Sequence, residues 1–299
     1  VVQGRKPGPC LLILAAVHGD EYDGVRTVIE LCRELTPEQL RGTVMMVPVA
    51  NVPAYRNKSR ETPIDGRNLA REFPGDPKGT FTQRLAWHLD RALIARADFL
   101  LDYHSAGMDT EIPTLVGYYH NDETAHGRAS RAAAEAFGME TVWAPPTVNP
   151  GRTISAATAR GIPWLYTETG GGRRIRADEQ AKYREGAYRL LHHLGMLADP
   201  PARLTRPQPP VRTRLWGDGN FDFSFTSETG GFFIPAVRLL DRVRQGDRIG
   251  TIHGMFGETL ADVRAPSDGV VVALAAQPVV EPGGVVFALT GHFPEERRS

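Results

Sequence analysis

His18-Gly19-Asp20-Glu21 holds an imidazole and a carboxylate three residues apart, a spacing that can turn one ring nitrogen and one carboxylate oxygen toward a single point. Both groups are zinc ligands, at about 2.0–2.2 Å. A His and a Glu so spaced also occur often by chance, as a cap or a solvated surface pair, so this motif alone does not establish a metal site. Asp102-Tyr103-His104-Ser105 supplies a second histidine. Two histidines and a glutamate, His18, Glu21 and His104, make the three-ligand pattern of catalytic zinc, which leaves one position open for water. Asp102 lies two residues before His104 and so on the same face of a strand; it can orient the site or a substrate group, or serve equally as a buried structural carboxylate. In Thr167-Glu168-Thr169-Gly170-Gly171-Gly172 another carboxylate precedes a glycine run. Such a carboxylate can take a proton from an activated water and return it to a leaving amine. The glycines permit a close backbone approach, or simply a tight strand-to-helix turn.

These motifs need elements that bring them together. Leu11 to Val17 (LLILAAV) is a short, continuously apolar run, and Val25, Val28, Ile29 and Cys32 follow at helical spacing, which predicts a strand and then a helix. Thr43 to Ala50 (TVMMVPVA) closes a βαβ unit. From Asn51 to Gly79 the sequence is polar and broken by Pro and Gly, too long for a mere connector and therefore functional. Helical spacing returns over Phe81 to Ala97. Phe99 to Tyr103, Thr114 to Tyr119 and Trp164 to Thr167 read as further strands, with helices over Glu123 to Phe137 and Asp178 to Met196. Each chemical motif thus falls at the end of a strand, where open α/β sheets present functional groups.

The texture then changes. Asp199 to Val211 carries five prolines and reads as an extended linker. From about Phe221 to Leu289, runs such as VRLL, RIGTI, GVVVAL and VVFAL alternate with Gly, Asp and Pro turns, and no helical pattern appears. The division expected is 1–199 for the catalytic domain, 200–215 for the linker and 216–299 for an all-β domain.

A length of 299 residues suits about two domains. Lys plus Arg equals Asp plus Glu at 35 each, so no basic surplus exists to hold a nucleic acid. The apolar stretch Leu11 to Val17 is far short of the roughly 20 residues that span a bilayer and has no small-residue cleavage site after it, so neither a signal peptide nor a membrane helix is expected. Cys10 and Cys32 read as reduced, buried thiols, which fits a cytoplasmic address. The chain opens at Val1 and not at Met, which leaves room for a preceding strand or short leader and limits the expected address.

Taken together, VHGDE, RETPIDGRNLAREFPG, LLDYHS and TETGG resemble, in order and spacing over roughly residues 9 to 200, the succinylglutamate desuccinylase/aspartoacylase family, relatives of the zinc carboxypeptidases. The resemblance implies an α/β fold with a mixed, largely parallel sheet flanked by helices, followed here by a smaller all-β domain of barrel-sandwich type. It implies one Zn²⁺ held by His18, Glu21 and His104, with Glu168 as general base and acid. Arg60 corresponds to the arginine that polarises the scissile carbonyl. The activity implied is hydrolysis of an amide that frees an N-acyl group from an amino acid or similar small molecule, in an enzyme that can form homo-oligomers. A carboxypeptidase acting on short peptides, and a non-catalytic binding or assembly protein with a vestigial metal site, are the alternatives.

Two positions depart from the family's D-L-N-R-x-F-P-G. Asn68 replaces the acidic residue and Ala70 replaces the Asn of the Asn-Arg pair, removing one substrate-carboxylate contact. Arg71 alone can still pair bidentately with a carboxylate. Arg152, in GRTIS, is a second candidate for substrate contact, with a surface arginine as the alternative. The all-β segment is similar to biotinyl and lipoyl carrier modules through Gly246-Asp247 and Ala265-Pro266-Ser267-Asp268-Gly269, but its Gly254-Met255-Phe256-Gly257-Glu258 turn has no lysine, which argues against covalent carriage. Such a module in relatives flanks the cleft or aids assembly. His88, His120, His126, His192, His193, His253 and His292 lack matched partners and read as structural or solvated, as do Glu228 and Glu258.

Overall fold

The computed structural model describes residues 1–198, 204, 207–217 and 224–292. In chain order it forms β1 (Val2–Gln3), β2 (Lys6–Leu14), α1 (Asp23–Glu34), β3 (Arg41–Val47), α2 (Val52–Asn57), a 3-10 turn (Leu69–Arg71), α3 (Phe81–Ala92), β4 (Phe99–Tyr103), β5 (Thr110–Glu111), β6 (Leu115–Tyr118), α4 (Ala125–Phe137), β7 (Thr141–Ala144), α5 (Thr153–Thr158), β8 (Trp164–Glu168), α6 (Ala177–His193) and β9 (Thr213–Trp216). The C-terminal part adds β10 (Phe225–Thr226), β11 (Gly231–Pro235), β12 (Arg242–Val243), β13 (Arg248–His253), β14 (Thr259–Arg264), β15 (Gly269–Ala275), β16 (Val279–Val280) and β17 (Val285–His292).

The main sheet runs β1-β3-β2-β4-β8-β6-β7-β9. β3, β2, β4 and β8 are mutually parallel, β6 is antiparallel to β8, and β7 and β9 follow parallel to β6. The apolar run in β2 is continuous because both faces of the sheet are covered. Leu11 and Ile13 pack with Val28, Leu31, Phe137, Tyr183 and Leu191 under α1, α4 and α6. Leu12 and Leu14 face the other way, against Leu89, Ile94, Ala157 and Trp164.

Local signals end these elements where the site needs loops. β2 stops at Leu14, three residues before the end of the apolar run, and Ala15, Ala16 and Val17 lead into the His18 loop. α3 ends at Ala92 instead of Ala97, a 3-10 turn over Ile94–Arg96 taking its place. Val237 to Leu240, read as a strand, is a turn with Leu240 at φ 72.

Much of the stretch read as linker, including residues 199–203 and 205–206, lies outside the described residues. Its C-terminal end forms β9, which joins the sheet beside β7. β17 then pairs with β9, and β15 pairs with both β17 and β5. Ile112, Leu115, Trp143 and Leu215 share one apolar cluster with Val270, Val272, Ala273 and Ala288, so the sheet and its core continue into the all-β part. No helix among the described residues is long and apolar enough to cross a membrane.

Candidate active site

The turn after β2 presses Gly19 onto α2 so closely that a Cβ there would stand 2.0 Å from the Ala54 carbonyl carbon, which leaves glycine as the residue that fits. His18 and Glu21 are thereby held against the end of β4. His18 Nδ1 lies 2.7 Å from Glu21 Oε1, and His104 Nδ1 lies 2.9 Å from Glu21 Oε2. His18 is 4% and Glu21 2% exposed, so water cannot solvate this contact freely.

The far nitrogen of each ring also lies against an oxygen. His18 Nε2 is 3.0 Å from Asn68 Oδ1, an oxygen already accepting the Ala70 N–H at 2.9 Å. His104 Nε2 is 3.1 Å from Asp102 Oδ2, which also accepts from the Thr153 hydroxyl. In the neutral tautomer that donates from Nε2, each ring turns its Nδ1 lone pair toward Glu21, the form that binds a metal; with Nδ1 protonated the ring donates to the carboxylate instead. One ligand atom from each of His18, Glu21 and His104 lies within 4.8 Å of the others, an arrangement that a metal ion satisfies and that protons on Nδ1 satisfy in its place. Among the described residues this is the one such group of histidines, cysteines and carboxylates.

The charges respond accordingly. Burial alone would raise the Glu21 carboxyl, but His18 and His104 outweigh it and hold the group well below the usual carboxylate range. Burial would lower His104, yet Asp102 and Glu21 hold it well above its ordinary value. His18 goes down, through burial and the nearby Arg60 guanidinium.

Glu168 ends β8, the strand next to β4, and the ladder continues beyond both: His104 N–H donates to Thr167 O at 2.9 Å and Ala106 N–H to Thr169 O at 3.1 Å. Burial pushes the Glu168 carboxyl up to about 8; Glu21 and Asp102 reinforce this, while His104 and Arg60 oppose it. Its Oε2 is buried with no hydrogen-bond partner.

Arg60 reaches in from the long loop, with Nη1 3.3 Å from His18 Nδ1 and 3.5 Å from Glu21 Oε1. Its loop is pinned where Gly19 N–H donates to Ser59 O and Thr62 N–H to Arg67 O. Arg71 and Arg152, 81 positions apart, meet because Phe73 N–H donates to Gly151 O at 2.9 Å and Gly151, at φ +84, packs directly on the Arg71 carbonyl. Both arginines line a narrow cleft with Ala70, Tyr166, Arg60 and Glu168, and His18 and His104 stand at its base. A wider cleft of about 410 Å³ shares His18, Arg60 and Glu168 with the narrow one and is walled by Asp20, Glu61, Arg173 and, from the all-β part, Ser224 and Val285.

His18, Arg60, Arg71, Asp102, His104, Arg152 and Glu168 thus line the narrow cleft, and Glu21 lines the wider one together with His18, Arg60 and Glu168. Thr153, which holds Asp102, and Tyr183, whose hydroxyl donates to His104 O at 2.5 Å, were not singled out. Thr153 adjoins Arg152 in GRTIS and could have been found there; nothing in the sequence marks Tyr183. Of the remaining histidines, His120 meets Tyr118 and Trp216, His126 stacks on Tyr119, and the His292 side chain lies outside the described residues.

Residues 7–194 match the succinylglutamate desuccinylase/aspartoacylase catalytic domain family. The N-alpha-acetyl-L-2,4-diaminobutyric acid deacetylase of Halomonas elongata is 32% identical over 272 residues, spanning 90% of this chain and 78% of that protein. Among solved structures, a succinylglutamate desuccinylase from a Silicibacter species superimposes with a TM-score of 0.85 at 28% identity, over 97% of this chain and 87% of the other. The product-bound ectoine utilization protein EutE (DoeB) of Ruegeria pomeroyi gives 0.84 at 28% identity, over 96% and 87%.

Proposed function

The chain belongs to the succinylglutamate desuccinylase/aspartoacylase family, and on that premise we propose that it is a zinc-dependent N-deacylase acting on a small N-acyl amino acid. The observation that carries the proposal is the convergence of both imidazole Nδ1 atoms on the buried Glu21 carboxylate, beside a buried, partnerless oxygen of Glu168. Donors of this kind suit Zn²⁺, with His18, Glu21 and His104 holding the ion. When bound, zinc supplies Lewis-acid polarisation and makes water more acidic.

The chain's own residues do the rest. In its ionised form, which a cation held by His18, Glu21 and His104 would favour against the effect of burial, Glu168 takes a proton from the attacking water and returns it to the amide nitrogen as that bond breaks. Arg60 donates to the amide oxygen as negative charge builds there. Arg71, with Arg152 beside it, holds the carboxylate of the amino acid by charge-assisted hydrogen bonds. Asn68 and Asp102 fix the two imidazoles by accepting their Nε2 protons.

The Halomonas relative is named for an acetylated diamino acid, so Nα-acetyl-L-2,4-diaminobutyrate is the first substrate to assay. The proposal includes the division into a 1–199 hydrolase unit and a 216–299 all-β unit, and a cytoplasmic address; Cys10 and Cys32 are free thiols, but Cys10 is half-buried and Cys32 exposed, not buried as expected. The test is mass-spectrometric detection of free amine after incubating zinc-loaded and chelator-stripped protein with N-acetyl and N-succinyl amino acids and with dipeptides. Cleavage of an N-acyl amino acid only by the loaded protein is the expected result. Cleavage confined to peptides would shift the reading to a carboxypeptidase, and no cleavage of any amide by loaded protein would overturn it in favour of a binding role.

A further inference from the structure

Glu168 has a buried oxygen with no hydrogen-bond partner, so its direction depends on how firmly the backbone around it is held. One side chain holds that backbone from two sides. Glu179, in the first turn of α6 and 7% exposed, accepts the Gly170 N–H at 3.0 Å and the Thr114 hydroxyl at 2.9 Å, both on Oε1. Gly170 lies two residues beyond Glu168. Thr114 immediately precedes Leu115, which faces Glu168 across the antiparallel β6/β8 pair. A single carboxylate oxygen therefore ties the two chain segments that flank the end of β8.

The surroundings are built for this contact. Arg176 Nη1 lies 3.4 Å from Glu179 Oε2 and compensates its charge, and Arg176 also donates to Gly171 O and to Glu111 Oε1, both at 3.4 Å. Glu111 sits in β5, the strand that pairs with β15 of the all-β part. A Cβ on Gly170 would stand 2.5 Å from Arg176 Nη1 and 2.9 Å from Glu179 Oε1, so the glycine makes room for the pair. Gly171, at φ +82, would bring a Cβ to 2.7 Å from that of Ala106. Part of the glycine run after Glu168 is thus explained by a clamp and not by a turn alone.

We propose that Glu179 is a positioning residue for Glu168, acting by accepting the Gly170 N–H and Thr114 hydroxyl. The inference rests on the deacylase reading of Glu168. The competing role is a general one: an acidic residue in the first turn of a helix favours the helix through its charge. The two roles separate cleanly by substitution, because Glu179→Ala and Glu179→Gln both remove the charge, and only the glutamine keeps an oxygen that accepts from Gly170.

The experiment compares zinc-loaded wild type, Glu179→Ala and Glu179→Gln by kcat, KM, bound zinc and amide hydrogen exchange over residues 168–172. Glu179→Ala should lose about 10- to 100-fold in kcat, the scale of a misplaced catalytic group, with KM and bound zinc unchanged. Glu179→Gln should stay within roughly threefold of wild type, since a neutral acceptor retains most of the hydrogen bond. Exchange over 168–172 should accelerate in the alanine variant alone. Equal losses in both variants, a loss confined to KM or zinc, or an alanine variant with wild-type kcat would each overturn the proposal. If the wild type cleaves no N-acyl amino acid, the deacylase reading fails by itself, and unchanged exchange in Glu179→Ala is then the result that removes the clamp.

Discussion

Asn68 offers the most direct measure of how the chain supports its candidate metal site. Its Oδ1 is the acceptor for His18 Nε2 at 3.0 Å and for the Ala70 N–H at 2.9 Å, while His18 itself is 4% exposed. Asn68→Ala leaves a buried ring N–H and a backbone N–H without this acceptor. Leaving a buried donor unsatisfied costs about 1–3 kcal/mol, with water entering the vacated space setting the lower end. Because the imidazole must keep its Nε2 proton and its orientation to present Nδ1, that cost appears in zinc affinity, and at 1.4 kcal/mol per decade it amounts to roughly 5- to 150-fold. Supporting contacts of this kind are generally worth about 10- to 100-fold in affinity, in agreement. Asn68→Asp tests the opposite direction, since it restores the carboxylate of the family's pattern. A charged acceptor makes a hydrogen bond roughly twice as strong, so zinc should bind up to about tenfold more tightly. The assay is competition against a chromogenic chelator with all three proteins in parallel, at a pH where each is fully folded. A dissociation constant for Asn68→Ala within twofold of wild type would refute the reasoning, because His18 would then be oriented without Asn68.

Glu168→Gln should retain zinc by elemental analysis and lose about 10²- to 10⁴-fold in kcat, the usual worth of a general base; retained turnover would remove Glu168 from the chemistry. Arg71→Ala should raise KM about 10- to 100-fold for a carboxylate-bearing substrate, since a hydrogen bond to a charged group contributes about 1.5–3 kcal/mol. Ala70→Asn should improve turnover of N-acyl amino acids if Arg71 keeps the family's geometry, and an unaffected KM in Arg71→Ala would show that the substrate carries no carboxylate there. Asp65 accepts the Thr82 N–H at 2.8 Å and hydroxyl at 2.6 Å, and against the effect of burial these bonds lower its carboxyl from 3.8 to about 2. The folded value lies below the unfolded one, so the stabilisation is present above pH 4 and fades as pH falls through about 2. Urea midpoints of wild type and Asp65→Ala should therefore differ at pH 7 and converge toward pH 2; a constant gap would assign the effect to something other than ionisation.

The site was legible where apolar runs end in chemistry. LLILAAV and FLLDY become neighbouring parallel strands, and parallel neighbours put the residues after both runs at one edge, which brings His18 and His104 together. TETGG is legible for the same reason through β8. Less legible were elements too short to show a period: β7 has four residues, α5 six and β5 two. Arg152 depends on such elements, since its place beside Arg71 comes from a single bridge between Phe73 and Gly151. Asn68 was visible only as a departure from the family's pattern; that its oxygen serves His18 required the turn at Leu69–Arg71 to be seen. The VRLL run shows the reverse failure, because β-type composition says nothing of the positive φ at Leu240 that makes it a turn.

The wall that Val285 gives to the wider cleft has a consequence in time. A ribosome delivers the chain from its N-terminus at about 5–20 residues per second, and domains tend to fold as they emerge. His18, Glu21, His104 and Glu168 are all available to one another once β8 has appeared, yet β9 gains β17 as its neighbour only after more than a hundred further residues have been made. A nascent chain therefore passes through a stage in which its candidate site residues are assembled beside an open flank and an unpaired strand edge, exposed to pairing with neighbouring chains.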